Sequence, residues 1–178
     1  AGVDFDDHRI KRDAWPALKP TTPFGSLPVL EVEGHPPLAQ SNAILGLIGR
    51  LHGLHPSDPY EAARHEAVLA SVEDLRAQVT PTMRLKDEAE KKAAREALVA
   101  GYLPTWATHI EAQIGAEGPF FAGASPNVVD VKLHMALRWF KGGALDHIPA
   151  TVFDGFARFN RVHDAVRDHA AVVAWYAR

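Results

Sequence analysis

The chain has 178 residues, 47% of them hydrophobic and 23% charged, which suits one or two folded domains with a buried core. A net charge of −3 offers no basic field for nucleic acid and no polybasic patch for a membrane surface. Without cysteine there are no disulfides, no protein thiolate and no cysteine-ligated metal, and no apolar run approaches the roughly 18 residues of a membrane span.

At the start, Ala1-Gly2 suits the end of a helix with Gly2 as the residue after its C-cap, and residues 3–10 read as a strand. Val29, Leu30 and Val32 form a β-branched run ending at Glu33-Gly34, a hairpin-type turn. Pro36 and Pro37 then restrict the returning strand to a short edge piece. Ser41 is expected to cap a helix that runs to about Leu51. The segment "HGLHPSDP" breaks it and reads as a linker between residues 1–54 and residues 58–178.

From Asp58 the pattern is helical. Asp58 as N-cap, Pro59 at the first position and Glu61 reaching back predict a helix to about Arg84, with Ala62, His65, Leu69, Val72 and Leu75 near one face. A second long helix is predicted from Asp87 to Ile114, kinked by Pro104. Asn127 with Asp130 resembles a capping box ahead of a nearly continuous apolar helix: Val128, Val131, Leu133, Met135, Ala136, Leu137, Trp139 and Phe140. Residues 153–176 predict one or two further helices, split near His169. The reading is an α/β domain followed by an all-α domain.

Candidate chemistry concentrates in the first 54 residues. A helix starting at Ser41 points unpaired N–H groups and a partial positive charge back toward the preceding strand, a place for an anion. Gln40 adds an amide that donates and accepts. An ordinary N-cap explains Ser41 equally well. Leu27-Pro28, between a glycine turn and a strand, is a candidate cis peptide. Trp15 and Lys19 share a face if they lie on one helical turn, offering an indole N–H and an ammonium; a packed Trp and a solvated Lys are the alternative. His52 and His55 have no third ligand at a metal-binding spacing, so no metal is expected, and His134 reads as a core histidine. Glu73 and Asp74 point about 100° apart on a helix and make a poor acid/base pair.

Together, "DFDDHRI…AWPALKPTTPFGSLPVLEVEG…LAQSNAIL" resembles the N-terminal domain of the glutathione S-transferase family, closest to its sigma class, which includes glutathione-dependent prostaglandin D synthase and the S-crystallins. The likeness extends through "NVVD" into the helical half. It implies a thioredoxin-like domain, an all-helical C-terminal domain, a homodimer and glutathione as co-substrate; the composition makes a cytoplasmic protein the default expectation. Carried over by position, Trp15 and Lys19 grip the glycine end of glutathione. Leu27, held by a cis Pro28, pairs with the cysteinyl backbone. Gln40 and Ser41 bind the γ-glutamyl end, and Asp74 reaches across the dimer to it. The hydrophobic co-substrate is expected around Arg76, Val79, Thr80 and Met83, without the aromatic that prostaglandin synthases use there.

The family's first strand carries a Tyr whose hydroxyl favours the glutathione thiolate. Tyr60, Tyr102 and Tyr176 all lie in the helical half and do not match it. No catalytic residue is therefore assigned in this chain. That strand, most of the first helix and the activating Tyr or Ser are expected ahead of Ala1. The resemblance implies conjugation of glutathione to small hydrophobic electrophiles, with a glutathione-dependent isomerase or peroxidase, or a non-catalytic binding protein, as alternatives.

Overall fold

The helices that start at Pro59, Glu88, Val128 and Ala157 each have a carboxylate accepting from backbone N–H groups at or beside their first turn, and the helix that starts at Ser41 has none. The computed structural model describes residues 2–177 and divides into two units, residues 1–55 and 56–178. In the first unit, a short helix α1 (Trp15–Leu18) continues as a 3-10 turn over Lys19–Thr21. Strands β1 (Val29–Leu30) and β2 (Leu38–Ala39) pair antiparallel, and helix α2 spans Ser41–Leu51. The turn between the strands is closed by His35 N–H to the Val32 carbonyl at 3.0 Å, with Gly34 at φ 76° where a side chain would be strained.

Two strand expectations are corrected. Residues 3–10 are mostly exposed and form no strand, because no other strand runs beside them among the described residues and a strand's backbone groups need a ladder partner. Val32 falls outside β1, whose ladder ends where Pro36 and Pro37 remove donors from the opposite side. Gly2 has φ 66°; Ala1, and with it the expected helix end, lies outside the described residues.

The second unit is helical. Helix α3 (Pro59–Val79) starts with Asp58 Oδ1 accepting from Tyr60 and Glu61 N–H at 3.0 and 2.9 Å. Glu61 pairs with Arg64 at 2.9 Å instead of reaching back. The α-helix stops at Val79, short of Arg84, and gives way to a 3-10 turn (Thr80–Arg84) containing Pro81. Helix α4 (Glu88–Ala97) is capped by Asp87. The predicted kink at Pro104 takes the form of a π turn over Leu98–Tyr102, in which Leu103 N–H bonds to the Leu98 carbonyl. Widening the turn accommodates the missing donor and the ring of Pro104 in helix α5 (Leu103–Gln113).

Helices α6 (Val128–Lys141), α7 (Ala157–Arg167) and α8 (Ala170–Tyr176) complete the unit. Its core gathers Leu69, Val72 and Leu75 of α3, Trp106 and Ile110 of α5, Leu133, Leu137 and Phe140 of α6 and Phe159 of α7. Val131 and Met135 of α6 are exposed, contrary to the continuous core reading, and Trp139 is half-buried. A helix apolar on three sides has more than one surface to place.

Polar ties fix these helices. Buried Arg95 donates to Thr82 Oγ1 at 3.1 Å and the Asp146 carbonyl at 2.9 Å, joining α4 to the 3-10 turn and to the loop after α6. Glu111 of α5 accepts the Arg158 and Phe159 N–H groups, both at 2.8 Å, and so closes the start of α7 from another helix. His134 is a core histidine: its ring stacks on His163 at 4.4 Å, and each Nδ1 lies within 3.1–3.3 Å of the other's carbonyl. Burial lowers the pKa of both rings.

The most constrained tie is Asp130, fully buried in the first turn of α6. Its Oδ1 accepts from Phe121 N–H at 2.6 Å and its Oδ2 from Asn127 N–H at 2.7 Å. Phe121 is presented by a loop so tight that a Cβ on Gly118 would lie 2.4 Å from the Gly123 backbone. Burial raises the Asp130 carboxyl to about 6, against the pull of the backbone donors. Replacing Asp130 with Ala leaves both donors buried without a partner, and chemical unfolding is expected to show a loss of about 2–4 kcal/mol. Because the folded-state pKa is raised, the stability tied to this proton is full below about pH 4 and is lost as pH rises through about 6. Unfolding midpoints measured from about pH 4 to 7 should therefore lose that component of their slope in Asp130→Asn.

Candidate functional site

The hairpin register brings two sequence motifs to one end of its ladder. Val29 pairs with Ala39 and Leu30 with Leu38, so continuing the register outward sets Pro28 opposite Gln40 and Leu27 opposite Ser41. The Leu27–Pro28 peptide bond is cis, and Leu27 is exposed just ahead of β1. On the other strand, β2 runs directly into Gln40 and the first turn of α2.

At that turn the assignment of the cap changes. Ser41 is the first helical residue; Gln40 is the N-cap, and its carbonyl takes the first helical bond, from Ile44 N–H at 3.0 Å. Gln40 has φ 76° and ψ 112°, a conformation outside the regions that L-residues favour. No side chain caps this end and no acidic residue stands in the first turn. The N–H groups of Ser41, Asn42 and Ala43 therefore lack intrahelical partners at the positive end of an 11-residue helix. Gln40 itself is exposed.

Trp15 and Lys19 lie one turn apart, joined by Lys19 N–H to the Trp15 carbonyl. Trp15 is half-buried and Lys19 exposed. The Lys19 stem packs over Gly25, where an added Cβ would sit 3.4 Å from Lys19 Cε, and Gly25 lies just ahead of Leu27. The chain thus ties Lys19 to the loop that enters the hairpin.

In the second unit, the acidic pair divides. Glu73 forms ion pairs with Lys132 of α6 and, at 3.5 Å, with Arg76. Asp74 is exposed, and burial, with the Asp74 charge as the smaller cause, raises the Tyr102 pKa. Beside Glu73, α3 and α6 enclose a groove of about 660 Å³. Arg76, Thr80 and Met83 line it, as do Leu75, Met135 and Trp139.

The sequence of residues 73–178 matches the family model described as glutathione S-transferase, C-terminal domain. Glutathione S-transferase 1 of Ascaris suum is 48% identical over 85 residues, 48% of this chain and 41% of that protein. Probable glutathione S-transferase 7 of Caenorhabditis elegans is 32% identical over 181 aligned positions, covering 98% of this chain and 84% of that protein. The chain belongs to the glutathione S-transferase family. Among solved structures, prostaglandin synthase D of Nilaparvata lugens superimposes with a TM-score of 0.85 at 28% identity, over 99% of this chain and 85% of that one.

Within this glutathione S-transferase fold, the groove differs from expectation at one of its four expected residues. Val79 is fully buried in the core and does not line it. Trp139, Met135 and Arg138 of α6 also line the groove. The apolar pattern of α6 hides them, since it reads as core throughout. The signal that could reveal them is its excess of apolar positions, more than one buried face can use. Gln40 carries a backbone cost of about 1–3 kcal/mol. Gln40→Gly is expected to raise the thermal unfolding midpoint and Gln40→Val to lower it, as thermal denaturation of the purified variants will report.

Proposed function

We propose that this chain binds glutathione with its first unit and a small hydrophobic electrophile with its second, as a glutathione transferase. The observation that carries the reading is the start of α2. Three N–H groups with no intrahelical partner and the Ser41 hydroxyl stand at the same ladder end as the exposed residue Leu27. An amino-acid carboxylate suits the first, and an extended peptide suits the second. Lys19 and Trp15 take the glycine carboxylate at the other end of the tripeptide.

In this reading the glutathione sulfur, as thiolate, forms a bond to an electrophilic carbon while the leaving group departs with the electron pair. Positioning supplies much of the rate. The groove beside Thr80, Met83 and Trp139 removes water from the co-substrate. No residue of this chain is assigned to lower the thiol pKa. Asp74 is exposed and has no ion pair among the described residues, which supports its use by a second copy in a homodimer. Trp139 also favours a second reading, a glutathione-dependent isomerase on the same site. No helix of the described residues is long and apolar enough to cross a membrane.

Retention on immobilised glutathione is the expected result, with release by free glutathione. The double variant Gln40→Ala, Ser41→Ala should lose it. Unchanged retention of that variant would remove the carboxylate site from the start of α2. Trp139→Ala should raise KM for an activated aryl chloride more than it lowers kcat, as steady-state kinetics will show.

A further inference from the structure

Three cations, Arg76, Lys132 and Arg138, line a groove that is otherwise mainly apolar, and no acidic side chain lines it with them. Two of them share one carboxylate: Glu73 pairs with Lys132 and, at 3.5 Å, with Arg76. Among the described residues no carboxylate lies within ion-pair distance of Arg138. Its Nη1 donates to the Tyr176 hydroxyl oxygen, and its Cζ lies 4.4 Å from the centre of the same ring. The Tyr176 hydroxyl in turn faces Met135 Sδ at 3.8 Å, on the groove wall.

A tyrosine that binds arginine through both its ring face and its hydroxyl fixes the direction of the guanidinium without neutralising it. Only part of its donor set is used, and the planar fork remains for an acceptor of matching shape. We propose that this groove selects electrophiles bearing a carboxylate, with Arg138 as the recognising group and Tyr176 as its positioning residue. The proposal rests on the transferase reading for the electrophile, but not for the anion. The apolar body of the ligand lies along Leu75, Met83 and Trp139, in a volume that suits a medium-sized organic acid. A carboxylate is favoured over a phosphate because the single planar fork of Arg138 serves it, while Lys132 and Arg76 are already engaged by Glu73.

The test separates the anion from the chemistry. Binding of 4-(1-naphthyl)butyrate and of its neutral primary amide is measured by calorimetry at about pH 7 with saturating glutathione. The acid should bind about fivefold tighter, the factor that corresponds to about 1 kcal/mol for an exposed charge pair. Added salt should shrink the preference. Arg138→Gln should abolish it, Arg138→Lys should keep part of it, and Tyr176→Phe, which retains the ring but loses the acceptor oxygen, should reduce it. Equal binding of acid and amide by the unsubstituted protein overturns the proposal. So does a preference that survives Arg138→Gln, or an Arg138→Gln effect on glutathione affinity alone. Conjugation of glutathione to a neutral aryl chloride, followed separately, reports on the transferase reading whichever way the acid behaves.

Discussion

The second unit depends on how the first turn of α6 is held. Asp130 accepts two backbone N–H groups, one from its own helix start and one from Phe121 in the preceding loop, in a place from which water is excluded. Burial works against the charge while the donors favour it, so the arrangement is stable only with both bonds made. Fixing that turn fixes the direction of every later side chain on α6. Leu133, Leu137 and Phe140 enter the core on one side of the helix, and Met135, Arg138 and Trp139 face the groove on another. The contact surface for a co-substrate is therefore set by the same helix that organises the core.

Helix starts divide by whether the chain closes them itself. Asp58, Asp87 and Asp130 serve α3, α4 and α6, and Glu111 reaches from α5 to serve α7. At α2 nothing of the kind is present, and the residue at its cap, Gln40, adopts a backbone conformation that most side chains resist. With carboxylates at the starts of α3, α4, α6 and α7 and none at α2, the positive end of α2 stays available. The hairpin explains how Leu27 and Pro28, distant in sequence, arrive beside that end.

Local chemistry was the legible part. Asp58-Pro59, Asp87, the pair Asn127 and Asp130, and the turn at Glu33-Gly34 each encode their own geometry within a few residues, and the structure bears them out. The expectations that failed depended on neighbours. The stretch 3–10 has strand-like composition, but a strand is a pairing and not a property of one segment. Serine is a common N-cap, yet the cap falls one residue before Ser41 because Gln40 turns the chain. Val79 and Trp139 exchange roles for a similar reason. Apolar spacing says that a face is buried or covered, not whether protein or a cleft covers it. Glu111, closing α7 from a distant helix, left no local trace at all.

The π turn before Pro104 has an evolutionary consequence. A residue in a helix advances the side-chain direction by about 100°, so the extra residue in this turn sets the rotation of α5 relative to α4. On the α4 side that rotation leaves Arg95 against Thr82 and the Asp146 carbonyl. Beyond the turn it sends Leu103, Trp106 and Ile110 inward. Between Leu98 and Tyr102, where no side chain is buried, composition is free to drift, whereas length is not. Losing one residue there would spoil the alignment of two well-packed helices without changing any residue that packs, so related chains should tolerate substitutions in this stretch and reject single-codon deletions.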